Sequence, residues 1–330
     1  MAAMAPELKN NISKNECEEC AWFENVCDIF TLVIMAYNGD LQKMRLSGKN
    51  KHILSVRVFV NAAENGNLEN MKWLRENGCP WNESVFKSAI YNGNLENMRW
   101  LTENGCPWGT GTFSYAAKEG NLGIMIWLKI NGCRWDTKTF GEAVLNGNLE
   151  NMMWLRNNEC PWDECAFASA SYKGNLENMM WLRYNGCPWN EETFSNAVLN
   201  GNLKNMKWLR ENGCPWNEYT FACAVENGYI NGNLEIMRWL KENGCPWNEK
   251  TFENAAENGN LEIMRWLREN GCPWNENTFM YAAYNGNLEN MKWLKENGCP
   301  WDKYSYENAI KIGNIENMRW LKENGCPTEE

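Results

Sequence analysis

Histidine is almost absent. The chain has one, His52, so the side chain that most often moves protons near neutral pH is available at a single position. No GxxxxGKS or GxGxxG loop is present to cradle phosphates, and no Ser or Cys has a His at the spacing of a nucleophile and its base. Long apolar runs are lacking too. The longest, Ile29 to Ala36, falls far short of the roughly 20 residues that span a bilayer, and the first sixteen residues carry no basic segment followed by an apolar stretch. Positive charge is not in surplus: the net charge is −10, and Lys and Arg recur among Glu, as in Glu262, Arg265, Arg268 and Glu269. That interleaving describes a solvated helix face rather than a stripe that tracks phosphates. The composition argues for a soluble, intracellular, cytoplasmic chain with no enzyme activity, no cofactor, no nucleic acid and no membrane among its partners.

What is present is repetition. The stretch Gly259 to Phe279, GNLEIMRWLRENGCPWNENTF, has close copies from residue 66 onward. Its opening Gly recurs at Gly66, Gly93, Gly120, Gly147, Gly174, Gly201, Gly232, Gly259, Gly286 and Gly313. Each step is 27 residues (93 − 66), except 31 between Gly201 and Gly232 (232 − 201), where four residues are inserted around Tyr229 and Ile230. A period in this range marks a stack of units, none of which buries its apolar face alone.

One unit reads as two short helices. Asn260 is a suitable N-cap, and Leu261, Met264, Trp266 and Leu267 make an apolar stripe that Asn270-Gly271 terminates. Pro273 holds the following residues extended. Asn275 then caps a second segment with Phe279, Ala282 and Ala283 on one face. By the same reading Ser55 caps Val56 to Asn65. No segment alternates in the manner of a strand. The expected fold is all-α, with about eleven stacked helix-turn-helix repeats. Residues 1–27 form a tail without periodicity, 28–330 the repeat domain, and 28–54 within it a degenerate capping repeat.

The run Ala255-Ala256-Glu-Asn-Gly259 through Gly271-Cys272 resembles the ankyrin repeat, matching its AAxxG, its apolar positions in the following helix and its closing Gly-Ala. Thr278-Phe279 stands where that family has the Pro-Leu of TPLH. The family's period is about 33, and the residues missing here fall between Asn275 and Thr278, where ankyrin arrays carry a projecting β-hairpin. The resemblance implies an ankyrin-like α-solenoid with truncated hairpin loops. Arrays with the GCPW signature look like those of large DNA viruses and single-celled eukaryotes; were the source viral, the compartment would be the host cell.

Fifteen Cys invite a metal or redox reading. Ten of them, Cys79 through Cys326, hold one position per repeat, and neighbouring copies at about 10 Å lie beyond disulfide reach. They read as small buried side chains standing where the ankyrin family has Ala. Cys17, Cys20, Cys27 and His52 are a weak zinc signal, set against free thiols in a cap. The Trp residues recur at two fixed places and read as packing ladders, the alternative being an exposed aromatic groove.

Between copies the helix carrying Met-x-Trp-Leu is nearly invariant, whereas the other helix varies. Similarity to ankyrin arrays implies that this variable surface is the concave, partner-binding side. The expected partner-binding residues are Tyr91, Tyr115, Lys118, Tyr172, Glu257, Tyr281 and Tyr284, and their Tyr content suits an interface. The expected function is a protein–protein interaction scaffold, as a monomer or with weak end-to-end self-association. Two alternatives are a structural spacer rod and an adaptor whose N-terminal Cys segment binds zinc or recruits a ligase.

Overall fold

Asn–Gly pairs decide where the helices stop, and that punctuation produces the architecture. The structure is a computed structural model, and it describes residues 29–47, 54–226 and 233–328. The zinc candidates Cys17, Cys20, Cys27 and His52, and the insert at Tyr229 and Ile230, lie outside the described residues. Within them are 22 helices and no strand.

The chain divides into two compact units, Met1–Pro161 and Trp162–Glu330. In the first, residues 29–37 (α1) precede α2 Leu41–Ser47, α3 Val56–Asn65, α4 Leu68–Glu76, α5 Glu83–Asn92, α6 Leu95–Glu103, α7 Thr110–Glu119, α8 Leu122–Ile130, α9 Thr137–Asn146 and α10 Leu149–Asn157. In the second come α11 Glu164–Lys173, α12 Leu176–Tyr184, α13 Glu191–Asn200, α14 Leu203–Glu211, α15 Glu218–Glu226 and α16 Asn233–Glu242. It continues with α17 Glu249–Asn258, α18 Leu261–Glu269, α19 Glu276–Asn285, α20 Leu288–Glu296, α21 Lys303–Ile312 and α22 Ile315–Glu323. Odd-numbered helices are the first of each hairpin, even-numbered the second. Within each unit, first helices pack on the next first helix and each hairpin closes on itself, consistent with an ankyrin-like solenoid.

The second helices end by one device. At the close of α18 the Asn270 side chain donates to the Trp266 carbonyl at 2.8 Å, and Gly271 turns left-handed at φ 80°. There Gly271 N–H reaches Arg268 O and Cys272 N–H reaches Leu267 O, satisfying the orphan carbonyls. First helices start on an Asn, Asp or Gly. Asn275 accepts from Thr278 N–H while Asn275 N–H donates to the Thr278 hydroxyl, a reciprocal cap. The expected Ser55 cap is different: its hydroxyl is buried with no protein partner, turned away from the N–H groups it would cap, and its carbonyl takes the bond described next.

All ten repeat cysteines are buried and none is in a disulfide, as the spacing requires. Each thiol points at the carbonyl of the residue that begins the first helix of its own hairpin, from 3.3 Å for Cys79 and Ser55 to 3.9 Å for Cys245 and Asn217. A weak S–H donor thus ties the exit of one helix to the entry of the other, which Ala could not do. Burial pushes the Cys79, Cys214 and Cys272 thiols up to about 12.

Phe, Ala, Met and Leu fill each hairpin, with Phe279, Ala282, Ala283, Met291 and Leu294 fully buried. The two Trp positions extend that core from one hairpin to the next. Trp274 lies 5.2 Å from Phe252 in its own hairpin and 6.2 Å from Trp293 in the following one. Arg268 covers the outer face of Trp274 at 3.9 Å, and Arg75, Lys129, Arg183, Arg210, Lys241 and Lys295 do likewise for their own Trp. These are the packing ladders the spacing suggested, closed over by cations.

Candidate protein-interaction surface

The surface begins with how the last turn of each first helix is held. Asn200, the last residue of α13, donates its side-chain amide to the Tyr172 carbonyl on α11 at 3.0 Å. Asn146 does the same to Lys118 O at 3.0 Å, and Asn285 to Glu257 O at 3.0 Å. The carbonyls of a helix C-terminus lack partners of their own, so each hairpin with Asn at this position supplies one to the hairpin before it. A Cβ on Gly120, Gly174 or Gly259 would strike the amide group, which fixes Gly there beyond its left-handed φ. Three of the seven expected partner-binding residues, Lys118, Tyr172 and Glu257, therefore project from a main chain anchored by its neighbour. Tyr91 lacks the clamp because Glu119 stands where the Asn would be.

Tyr91, Tyr172 and Tyr284 are about half exposed, at 59%, 56% and 48%, and Lys118 and Glu257 are also exposed. Tyr115 and Tyr281 sit one turn deeper and are half-buried. Tyr91 and Lys118 occupy the same position of the packed helices α5 and α7, and Glu257 and Tyr284 that of α17 and α19. Tyr91 also lies close enough to Tyr115 to bear on its ionisation. Burial first, then Glu119, hold the Tyr115 phenol up at about 12, with Tyr91 adding to the effect. Tyr281 is met by the Lys250 ammonium, 4.8 Å from the ring centre. Tyr115 thus lies beside an acidic group and Tyr281 beside a cation.

Among the described residues no three or more His, Cys, Asp or Glu could hold a metal ion together, and no helix is long and apolar enough to cross a membrane.

Variation is not confined to the first helices. Position five of those helices is Lys or Arg in most copies but Ile126, Met153 and Met180 in three consecutive ones. Their signal was in the sequence, as departures from the internal consensus, and it was overlooked because the second helix is otherwise so uniform.

The family model for ankyrin repeats matches residues 221–304, in three copies. Residues 221–304 carry ankyrin repeats. The match covers α16 to α20 entire, and the same hairpin recurs in both units around the same Gly, Cys and Trp positions. No curated protein matches the sequence. Ankyrin repeats in general mediate protein–protein interaction, and their fold is typically non-catalytic. Successive repeats are joined by a short turn: four residues, Cys272 to Asn275, separate Gly271 from the start of α19.

Proposed function

We propose that this ankyrin-repeat chain is a non-catalytic scaffold of a reducing, intracellular compartment that binds proteins through its first-helix face. The observation that carries the reading is the set of half-exposed tyrosines Tyr91, Tyr172 and Tyr284 at the last turns of the first helices, where Tyr172 projects from a main chain clamped by Asn200. Tyr contributes rigid amphipathic contact area at small entropic cost. A preorganised backbone lowers the ordering cost of docking. Net charge −10 favours partners with basic or neutral contact surfaces. Buried free thiols one per repeat suit a compartment that keeps Cys reduced.

The test is quantitative affinity capture from the native cells, comparing the wild-type chain with a Tyr91→Ala, Tyr172→Ala, Tyr284→Ala variant of unchanged helicity. Loss of a defined set of proteins is the expected outcome. An unchanged set removes the first-helix face from the account.

A further inference from the structure

The second helices of the second unit carry a departure that the first-helix reading leaves unused. In most hairpins the outward stripe of the second helix reads Leu, then a basic residue, then Glu, as in Leu68, Lys72 and Glu76. In α12 it reads Leu176, Met180 and Tyr184, residues one turn apart on one line of the helix. Met180 is 50% exposed and Tyr184 89%, so this apolar line faces solvent. On the next second helix, Lys204 occupies the position that is Glu in eight other copies, such as Glu177 and Glu235. Leu176, Leu203, Lys204, Lys207, Trp208 and Glu211 line one cleft between α12 and α14. Lys204 and Lys207 are exposed and form no ion pair among the described residues.

We infer that this cleft, together with the exposed line that runs on from Leu176, is a second docking surface, for an acidic amphipathic segment of a partner protein, with apolar side chains along Leu176, Met180 and Tyr184 and carboxylates on Lys204 and Lys207. Two substitutions in adjacent hairpins act in the same direction: one removes a cation and a carboxylate from α12, the other converts a carboxylate to an ammonium on α14. Together they leave an apolar line edged by two ammonium groups, Lys204 and Lys207, against the single carboxylate of Glu211 in the cleft lining, in a chain that is otherwise acidic. A second copy of this chain fits less well, because its net charge of −10 repels another copy and most of its second helices carry Lys or Arg at the central position. Charge complementarity of this kind governs partner choice and encounter rate, and the apolar line supplies the buried contact.

The experiment uses the purified full-length chain and a labelled synthetic helical peptide with Leu and Phe along one face and Glu beside them, read by fluorescence anisotropy. Lys204→Glu and Met180→Lys introduce residue types that other hairpins hold at the same positions, so the fold is kept. Each is expected to weaken binding about tenfold or more, and added salt to weaken the wild type. The same peptide with Lys in place of Glu is expected to bind poorly, and the Tyr91, Tyr172, Tyr284 variant to bind the acidic peptide unchanged. The inference is overturned if the acidic peptide fails to bind, if it binds Lys204→Glu equally, or if the Lys peptide binds as well. It is also overturned if sedimentation shows a dimer that Lys204→Glu dissolves, which would assign the cleft to a second copy.

Discussion

The side-chain amide of Asn200 donates to the carbonyl of Tyr172, one hairpin back, at 3.0 Å, and occupies the space that a side chain on Gly174 would need. One residue thereby joins two repeats and immobilises the turn from which an expected interface tyrosine projects.

Replacing Asn200 with Ala leaves that helix end with an unpaired carbonyl and empties the space above Gly174. The expected cost is about 1 kcal/mol, the usual worth of such a bond. Urea denaturation should show a lower midpoint with an unchanged slope. A midpoint equal to wild type would remove the clamp as a stabilising element.

Glu159 stands where the other second-helix turns have Gly, and it holds a left-handed φ of 65°. It closes the turn after α10 with the same bond, Glu159 N–H to Arg156 O at 3.0 Å, so geometry is kept at the expense of backbone strain. Glu159→Gly should raise stability by about 1 kcal/mol. Thermal unfolding compared with the reverse change, Gly186→Glu, checks both directions: the first should gain and the second lose.

The hairpin was legible because its signals are local. Asn–Gly stops, Asn starts and a Phe-Ala-Ala face all act within one turn, so sequence reached the helices, their ends and the buried thiols. The Asn200 clamp acts between residues 28 apart, Asn200 and Tyr172, and pattern alone did not expose it. Nor did it expose the Ser55 exception, which depends on how a hydroxyl is turned. The candidate surface was legible only as variability. Exposure then separated Tyr91, Tyr172 and Tyr284 from the deeper Tyr115 and Tyr281. The α12–α14 cleft escaped because near-identity of the second helices drew attention away from Met180 and Lys204.

Asn205 and Asn290 occupy the same buried position, with opposite fates. The Asn205 amide donates to Gly174 O at 2.8 Å, whereas neither polar atom of the Asn290 side chain meets a protein partner. Ile124, Ile236 and Ile263 fill the equivalent site in three other hairpins. Asn290→Ile should therefore stabilise by about 1 kcal/mol, and Asn205→Ile should destabilise by about as much. Chemical denaturation of the two variants side by side decides it, and equal effects would contradict the assignment.

The buried thiols make stability depend on pH. Burial raises Cys214 from 9.0 to about 12, and Cys245, Cys272 and Cys299 likewise. The unfolded chain then releases these protons at lower pH than the folded one, so their contribution is complete below about pH 9 and is lost as pH rises toward 12. Denaturation midpoints should fall between pH 8 and pH 10.5, and less steeply in Cys214→Ala. A slope unaffected by that change would contradict burial of the neutral thiol. Among the described residues, exposed Cys165 should react with maleimide first and the repeat cysteines only on unfolding.

The first-helix face is tested most directly by site-specific crosslinking to a captured partner, with a photoreactive phenylalanine analogue placed in turn at Tyr172, at Tyr284 and at exposed Arg238 on a second helix. Crosslinks from Tyr172 or Tyr284 and none from Arg238 are the predicted result. Partners that crosslink from Arg238 alone would contradict it.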